Sequence, residues 1–521
     1  MGVWWLAAAW ADDADPAPVV EDEQVEDPVE RTLAEQQAAL EDLQQQLAEL
    51  QVASERQPPI TLAWEGHLRI RGQAYDHLWA TEGDRLSAIT TQRLWLRPRF
   101  DLLEDAAHLW VEVRALDDVV FGDAGGGTTP LDPGEPTATG LDGSDVPVTV
   151  GRVWMEVRLP IGLLRAGRQP SVWGMGLLVA SGDSFDQTFG ESRWPSTSDR
   201  LQLEVRPLGL LSTALGREDR EIPLVASIAV DRLVEDPLDL LPSGDPAPRE
   251  PGWWADSDDD LARLLYVLAY DGRGVRALGT EGDLSAGVWV EQRLQRDTDT
   301  HLLLVDAAGR ALLHHVLVEG ELFRMGGDTA GDTASLLGWG ARAGVVLDHA
   351  KLLVEAGGAS GDPDPADDEL RAASLHPDHN VGLLIYEEIL AATSASVGRP
   401  SKGAVLSSRY VFPTAHWMPA RGVELLGGFL MAWPDGPDGL LFQCRPSDPG
   451  GCDAPPLLQA SEGPIGWEVD GGLKIRWAED HLSWTLEGAY AQVTDRVPLR
   501  LAGLDPSGRV ATVQSRLGWH F

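Results

Sequence analysis

Two hydrophobic periods divide this chain. Before Ser54 apolar residues recur every three or four positions, and from Ile60 onward they recur every second position. In the first segment Leu33, Leu40 and Leu47 stand seven apart, with Val29, Gln36, Leu43 and Leu50 interleaved. That is the seam of a heptad helix, with Gln36 as its polar register device. An isolated helix with so narrow an apolar stripe is marginal in water. Residues 29–57 are therefore expected to self-associate as a coiled coil, a trimer in preference, through Leu33, Leu40, Leu43, Leu47 and Leu50. Pro58 and Pro59 end it.

Beyond Pro59 the alternation predicts strands. Leu62, Trp64, Gly66, Leu68, Ile70 and Gly72 alternate with Ala63, Glu65, His67, Arg69, Arg71 and Gln73. The pattern recurs near 61–75, 91–102, 107–116, 148–159, 162–169, 199–207, 223–233, 262–271, 284–294, 299–306, 310–324, 335–346, 350–360, 402–413, 418–432, 464–477, 481–493 and 509–521. Links after even-numbered strands are short, as at Leu103–Ala106, Pro160-Ile161, Asp306–Gly309, Asp348-His349 and Ala478–Asp480. Links after odd-numbered strands are often long: 117–147, 170–198, 234–261, 361–401 and 433–463. Short turns on one side and long loops on the other are the signature of a transmembrane antiparallel β-barrel. The expectation is one barrel over 60–521 with about 18 strands. The longer links near 208–222 and 272–283 leave about 16 open. In the last segment Val513, Ser515, Leu517, Trp519 and Phe521 form one face, as in a strand that closes a barrel against lipid.

Composition narrows the class. Mean hydropathy is −0.15 and no stretch approaches the run of about 18 apolar residues that a spanning helix needs. The formal net charge of −41 argues against nucleic acid, which requires a basic footprint. Residues 1–11, with an apolar Val3–Ala9 and the small-x-small triplet Ala9-Trp10-Ala11, read as an export signal that lacks a basic leading segment. Residues 12–28 read as an acidic linker. Cys444 and Cys452 share one Pro/Gly-rich segment, which suits a local disulfide in an oxidising compartment; two unpaired thiols are the alternative. Loop parity puts the coiled coil and Phe521 on the periplasmic side, and the long acidic loops and both cysteines outside the cell.

The order of signal, coiled coil and barrel ending in Phe resembles Gram-negative outer-membrane porins. The coiled coil resembles that of the phosphate-selective porins. Arg93-Leu94-Trp95-Leu96-Arg97-Pro98-Arg99, Leu164 to Gly174 and Gly357 to Asp362 with His376 to Leu383 resemble the alginate-export type and related myxobacterial barrels, the last pair as a long extracellular loop. The resemblance implies outer-membrane location, contact with lipid and lipopolysaccharide, and insertion by the barrel-assembly machinery.

Candidate chemistry lies on the polar face of the early strands: Glu65, His67, Arg69, Arg71, Arg93, Arg97, Arg99, Glu112, Arg114, Arg152, Glu156 and Arg158. An arginine wall favours anions and binds carboxylate or phosphate in bidentate fashion. Cross-strand pairing of these arginines with Glu65, Asp101, Glu112 and Glu156 is the alternative role. Later strands bring Glu319, Glu321, Glu468, Asp470, Lys474, Arg476 and Glu487 to the same interior, an acidic counter-wall. Trp64, Trp154, Trp173, Trp477, Trp484 and Trp519 are candidates for interfacial girdles, and Trp95 and Trp110 for an interior stacking surface. The aspartate runs 256–260 and 362–368 read as solvated loops rather than Ca²⁺ sites.

Hydrolase, phosphate-loop and zinc-protease motifs are absent from the sequence. His314 and His315, adjacent on an expected strand, would face opposite sides. His481 and Ser483 share a face, and an outer-membrane hydrolase would lose lipid turnover on Ser483→Ala. The expected function is passive diffusion of small polar, anionic solutes, with no cofactor, metal or catalysis, through a lumen narrowed by loop 117–147 or 170–198. The alternative is a barrel that serves attachment through its loops or coiled coil.

Overall fold

In the computed structural model, eighteen antiparallel strands close into one barrel. It describes Gln45 and residues 60–521, apart from 77–85, 103–105, 121–147, 184–186, 216–221, 236–261, 278, 296–298, 330–331, 364–366, 368, 397–400, 436–462 and 498–506. The expected signal, linker and coiled coil (apart from Gln45), both cysteines, aspartates 256–260 and most of loop 117–147 lie outside the described residues.

The strands are β1 (Ile60–Asp76), β2 (Leu86–Leu102), β3 (Ala107–Val120), β4 (Val148–Leu159), β5 (Gly162–Pro170), β6 (Thr197–Val205), β7 (Leu224–Glu235), β8 (Ala262–Ala277), β9 (Thr280–Gln295), β10 (Thr300–Leu313), β11 (Val316–Thr329), β12 (Asp332–Leu347), β13 (Ala350–Ala359), β14 (Glu369–Leu370), β15 (Ser408–Ala420), β16 (Val423–Pro434), β17 (Gly466–Trp477), β18 (Leu482–Val493) and β19 (Arg509–His520). Two-residue β14 pairs parallel with β12 as an accessory, and β13 pairs directly with β15. Each of the others pairs with its sequence neighbours, and β19 returns to β1. Twelve-residue strands such as β4 and β19, tilted as barrel strands are, span roughly 30 Å, the thickness of a bilayer core.

Alternation sets the two faces. Leu62, Trp64 and Ile70 on β1, Leu303 and Val305 on β10, Leu352 and Val354 on β13, and Leu517 and Trp519 on β19 are all exposed. A continuous exposed apolar belt on a closed sheet is stable where lipid covers it. On β4 the outward series changes phase, from Val148 and Val150 to Val153 and Met155. The β3–β4 register shifts between Glu112 and Val113, and this bulge turns Arg152 inward.

The turns resolve the strand count in favour of eighteen. Within the span 272–283 expected as a link, β8 runs on to Ala277 and β9 starts at Thr280, further than their apolar cores suggested. Only 206–223 is long on that side, and it holds helix α1 (Pro207–Ala214). The turn expected at Asp306–Gly309 is instead at His314-His315. Asp306-Ala307-Ala308-Gly309 looks like a turn because its residues are small and polar. They continue β10, and a side chain at Gly174 would meet Ala308 Cβ at 2.8 Å, so their small size makes room for a loop. His314, at φ 57°, and His315 therefore do not face opposite sides; their rings lie 3.9 Å apart in the turn.

Exposed Trp64, Trp417, Trp477 and Trp519 lie near the turn-side ends of their strands, as a girdle requires. Trp154 and Trp173 do not join them. Trp154 is buried and stacks on Trp110 inside the barrel, at 5.5 Å, and Trp173 donates to the Asp306 carboxylate at 3.0 Å.

Candidate functional site

Two long loops fold into the lumen. The first, 171–196, joins β5 to β6, and the second, 360–407, joins β13 to β15. The second was expected to lie outside the cell, yet His376, Asp378, His379, Val381, Leu383, Leu384 and Ile385 are all buried. With Leu177, Leu178, Val179 and Phe189 of the first loop, Val381, Leu383, Leu384 and Ile385 form part of one apolar core. Burying that core offsets the cost of ordering so much irregular chain. Asp362, expected in a solvated run, is also buried and accepts from the Arg371 amide at 3.1 Å. A π-helical turn, Ile385–Leu390, and helix α2 (Ala391–Ser396) end the inward segment.

The loops are bonded to each other. Asp378 Oδ1 accepts from the amides of Arg193 and Trp194, at 2.6 and 2.8 Å. Asn380 Nδ2 donates to the Glu191 carbonyl at 2.9 Å. His376 Nδ1 accepts the Asp378 amide, which leaves Nε2 as the donor toward Ser196 Oγ at 3.0 Å. Burial pushes His376 down to about 3, so it stays neutral, and pushes Asp378 up to about 7 despite the Trp194 amide.

Strand carboxylates hold this plug on one side. Glu321 of β11 accepts from the amides of Met175, Leu177 and Leu178. Glu468 of β17 accepts from those of Leu383, Leu384 and Ile385 at 2.6, 2.7 and 2.8 Å. Both clamps stand beside a glycine at positive φ: Gly176 at 82° and Gly382 at 78°. Successive amides converging on one oxygen pair form an anion-binding nest, and such backbone needs the left-handed region that glycine tolerates.

The wall made by β1–β4 is basic. His67, Arg69, Arg71, Arg93, Glu112 and Arg152 are buried, and Arg97, Arg99, Arg114 and Glu156 are half-buried. Glu65 and Arg158 are exposed near the turns, and Glu65 lies 3.0 Å from Arg97. The loop meets this wall through two acids. Glu191 accepts from Arg69 and, at 2.9 Å, from Arg71. Asp183 lies 2.7 Å from Arg97 and 3.4 Å from Arg152. Glu112 sits among Arg97, Arg114 and Arg152 at 2.6, 2.7 and 3.1 Å. Burial disfavours the Glu191 carboxylate, but the guanidiniums of Arg69, Arg71, Arg516 and Arg93 hold it well below the usual carboxylate range.

Aromatic rings interleave with these charges. Arg114 and Arg93 lie over Trp95 at 4.3 and 5.0 Å, and Arg99 lies over Trp110 at 5.3 Å. The arginines thus pair with acids of the strands and of the loop while facing the interior.

The sequence did not single out Glu191, Asp183, Asp378 or the second buried cluster, in which Arg200 and Arg263 hold Asp231, and Arg263 and Arg293 hold Glu291. The largely apolar stretch Val381 to Tyr386 inside a nominal loop was the available signal for the plug. Ser483 does not contact His481 as a pair; it bonds His520 Nε2 at 3.1 Å. Among the described residues no cluster of three or more His, Cys, Asp or Glu is arranged for a metal ion.

No protein-family model and no curated protein matches this chain. Solved structures do. The chain is similar to a BenF-like porin from Pseudomonas fluorescens Pf-5, with TM-score 0.50 and 11% identity over 88% of this chain and 98% of that one. It is also similar to Pseudomonas aeruginosa OpdK with vanillate, with TM-score 0.51 and 10% identity over 88% and 98% of the two chains. The fold is that of outer-membrane porins. Neither similar structure is of the alginate-export or phosphate-selective type that the sequence motifs suggested.

Proposed function

We propose that this protein is an outer-membrane channel for passive diffusion of small polar solutes, with anions favoured. The observation that carries this is the run of buried arginines from Arg69 to Arg152, facing an inward-folded loop that meets them only through carboxylates and backbone carbonyls among the described contacts. A basic strip with acids opposite draws in and orients an anion without enclosing it. That OpdK was solved with vanillate, a small aromatic acid, supports the same solute class. An attachment role through the loops is less favoured, because 171–196 and 360–407 spend their side chains on each other and on the wall.

The finer readings are part of this proposal. The heptad leucines Leu33, Leu40, Leu43, Leu47 and Leu50 join the chain into trimers on the periplasmic side. Cys444 and Cys452 form a disulfide outside the cell. An alginate-export or phosphate-selective preference would use the same arginines.

Planar-bilayer recording in a KCl gradient tests the channel. The expected reversal potential shows anion preference, and vanillate, phosphate and an oligouronate added in turn rank the solutes. Cation preference, or no conductance from folded barrels, overturns the reading.

A further inference from the structure

We propose that Glu191 is a tethered occupant of an oxyanion site made by Arg69, Arg71, Arg93 and Arg516, and that a free oxyanion opens the solute path by taking its place. This rests on the channel reading above.

Glu191 is placed as a ligand would be. Its side chain is 4% exposed, against 2% and 6% for Arg69 and Arg71. One of its oxygens, Oε1, takes both guanidiniums, so two strand arginines converge on a single acceptor. Arg93 donates beside it, to the Ser192 carbonyl at 3.3 Å. Arg516, held by Glu487 at 2.8 Å on β19, adds its positive charge to the field around Glu191. Arg71 is also held from β19, through Gln514 at 3.1 Å. The cations are thus positioned by the barrel wall, and the loop acid is not needed to build the site.

The loop backbone, in contrast, is held elsewhere. Gly190, at φ 70°, delivers Glu191 to the wall. The Glu191 carbonyl is bonded by Asn380, and the next amides, Arg193 and Trp194, by Asp378. Those partners belong to the second loop, which Glu468 fixes to β17. Releasing the Glu191 carboxylate therefore leaves the bonds between the two loops in place, and within its own loop it gives up the 3.7 Å contact with Arg193. The wall attachment that yields is the one made by a carboxylate to arginines, the chemistry that a carboxylate or phosphate solute offers.

A tethered carboxylate competes at an effective concentration of order millimolar. Glu191 thus raises the solute concentration needed to engage the arginines and keeps the path closed to sparse anions.

The test uses the full chain, with acetate and phosphate as probes and acetamide as the neutral control. In Glu191→Ala, half-saturation of acetate-dependent current is expected at about tenfold lower concentration than in the wild type. Acetate, and not acetamide, is expected to raise the temperature at which the Glu191→Ala barrel loses its compact gel migration. Phosphate acting in the same way assigns a general oxyanion site, and acetate acting alone assigns a carboxylate site; both support the proposal. Unchanged acetate dependence in Glu191→Ala, with no acetate-specific stabilisation, overturns it. If Glu191→Ala yields no folded barrel, Glu191→Asp carries the test. Its carboxyl is one methylene shorter, so a smaller change in the same direction is expected, and wild-type behaviour overturns the proposal. The gel arm reads binding without transport. A barrel stabilised by acetate that never conducts therefore refutes the channel reading while sustaining the site.

Discussion

Phe521 and Gly66 exchange both main-chain hydrogen bonds, at 2.9 and 3.1 Å. The pair extends the β19–β1 ladder that closes the barrel. A side chain at Gly66 would meet the Phe521 ring at 2.9 Å and the Trp95 carbonyl at 2.5 Å. Glycine is required here because ring and backbone approach each other across the seam.

Gly66→Val is therefore expected to strain closure by roughly 1–3 kcal/mol. The check is heat-modifiable gel migration, with a lower conversion temperature for the variant and no change for a valine at Gly427, where a side chain meets nothing within 4 Å.

Glu468→Leu removes the acceptor of three buried amides. Each stranded donor costs about 1–3 kcal/mol, so loop 360–407 should leave its seat rather than bear the whole penalty. Limited proteolysis should then cut within 360–407, and conductance should rise. Glu468→Gln keeps one carbonyl acceptor and should lie between the variant and the wild type.

The junction between the two loops should weaken as pH rises. Asp378 sits at about 7 in the fold against an ordinary 3.8, so the folded state holds its proton between those values and the unfolded state does not. Stability present below about 4 is lost as pH rises through about 7. Arg93 and Arg152 oppose the shift and Asp183 adds to it, while His376, at about 3, remains neutral throughout. Protease sensitivity of 171–196 should increase from pH 5 to pH 8, and Asp378→Asn should abolish the dependence.

Arg152 is fully buried between Glu112 and Asp183. Arg152→Ala breaks a buried network from one side and is expected to cost about 3–5 kcal/mol. Glu112→Ala added to it should recover part of the loss. A double variant whose loss of stability equals the sum of the Arg152→Ala and Glu112→Ala losses would show that the two residues are not coupled.

The barrel was legible from sequence because its signal is local. Period-2 alternation from Leu62 onward follows from lipid on one face and polar interior on the other, and loop parity follows from turns that need only reverse the chain. The arginine face was legible for the same reason, since Arg69, Arg71, Arg93 and Arg97 fall in phase with their strands. Asp306–Gly309 was misread because small polar residues look alike in a turn and beneath a packed loop.

What the loops do was decided only by the tertiary structure. No period marks Glu191, Asp183 or Asp378, whose partners lie far away in the chain, 185 residues for Asp378 and Arg193. An acidic residue in a Gly/Pro-rich segment is solvated when alone. It becomes a buried ligand once a closed wall of arginines surrounds it, because opposite charge and backbone amides then replace the water it gives up. The sequence by itself determined a lipid-facing barrel with a charged interior. Closure brought β1 beside β19 and folded two loops across that interior, and this decided which charges meet.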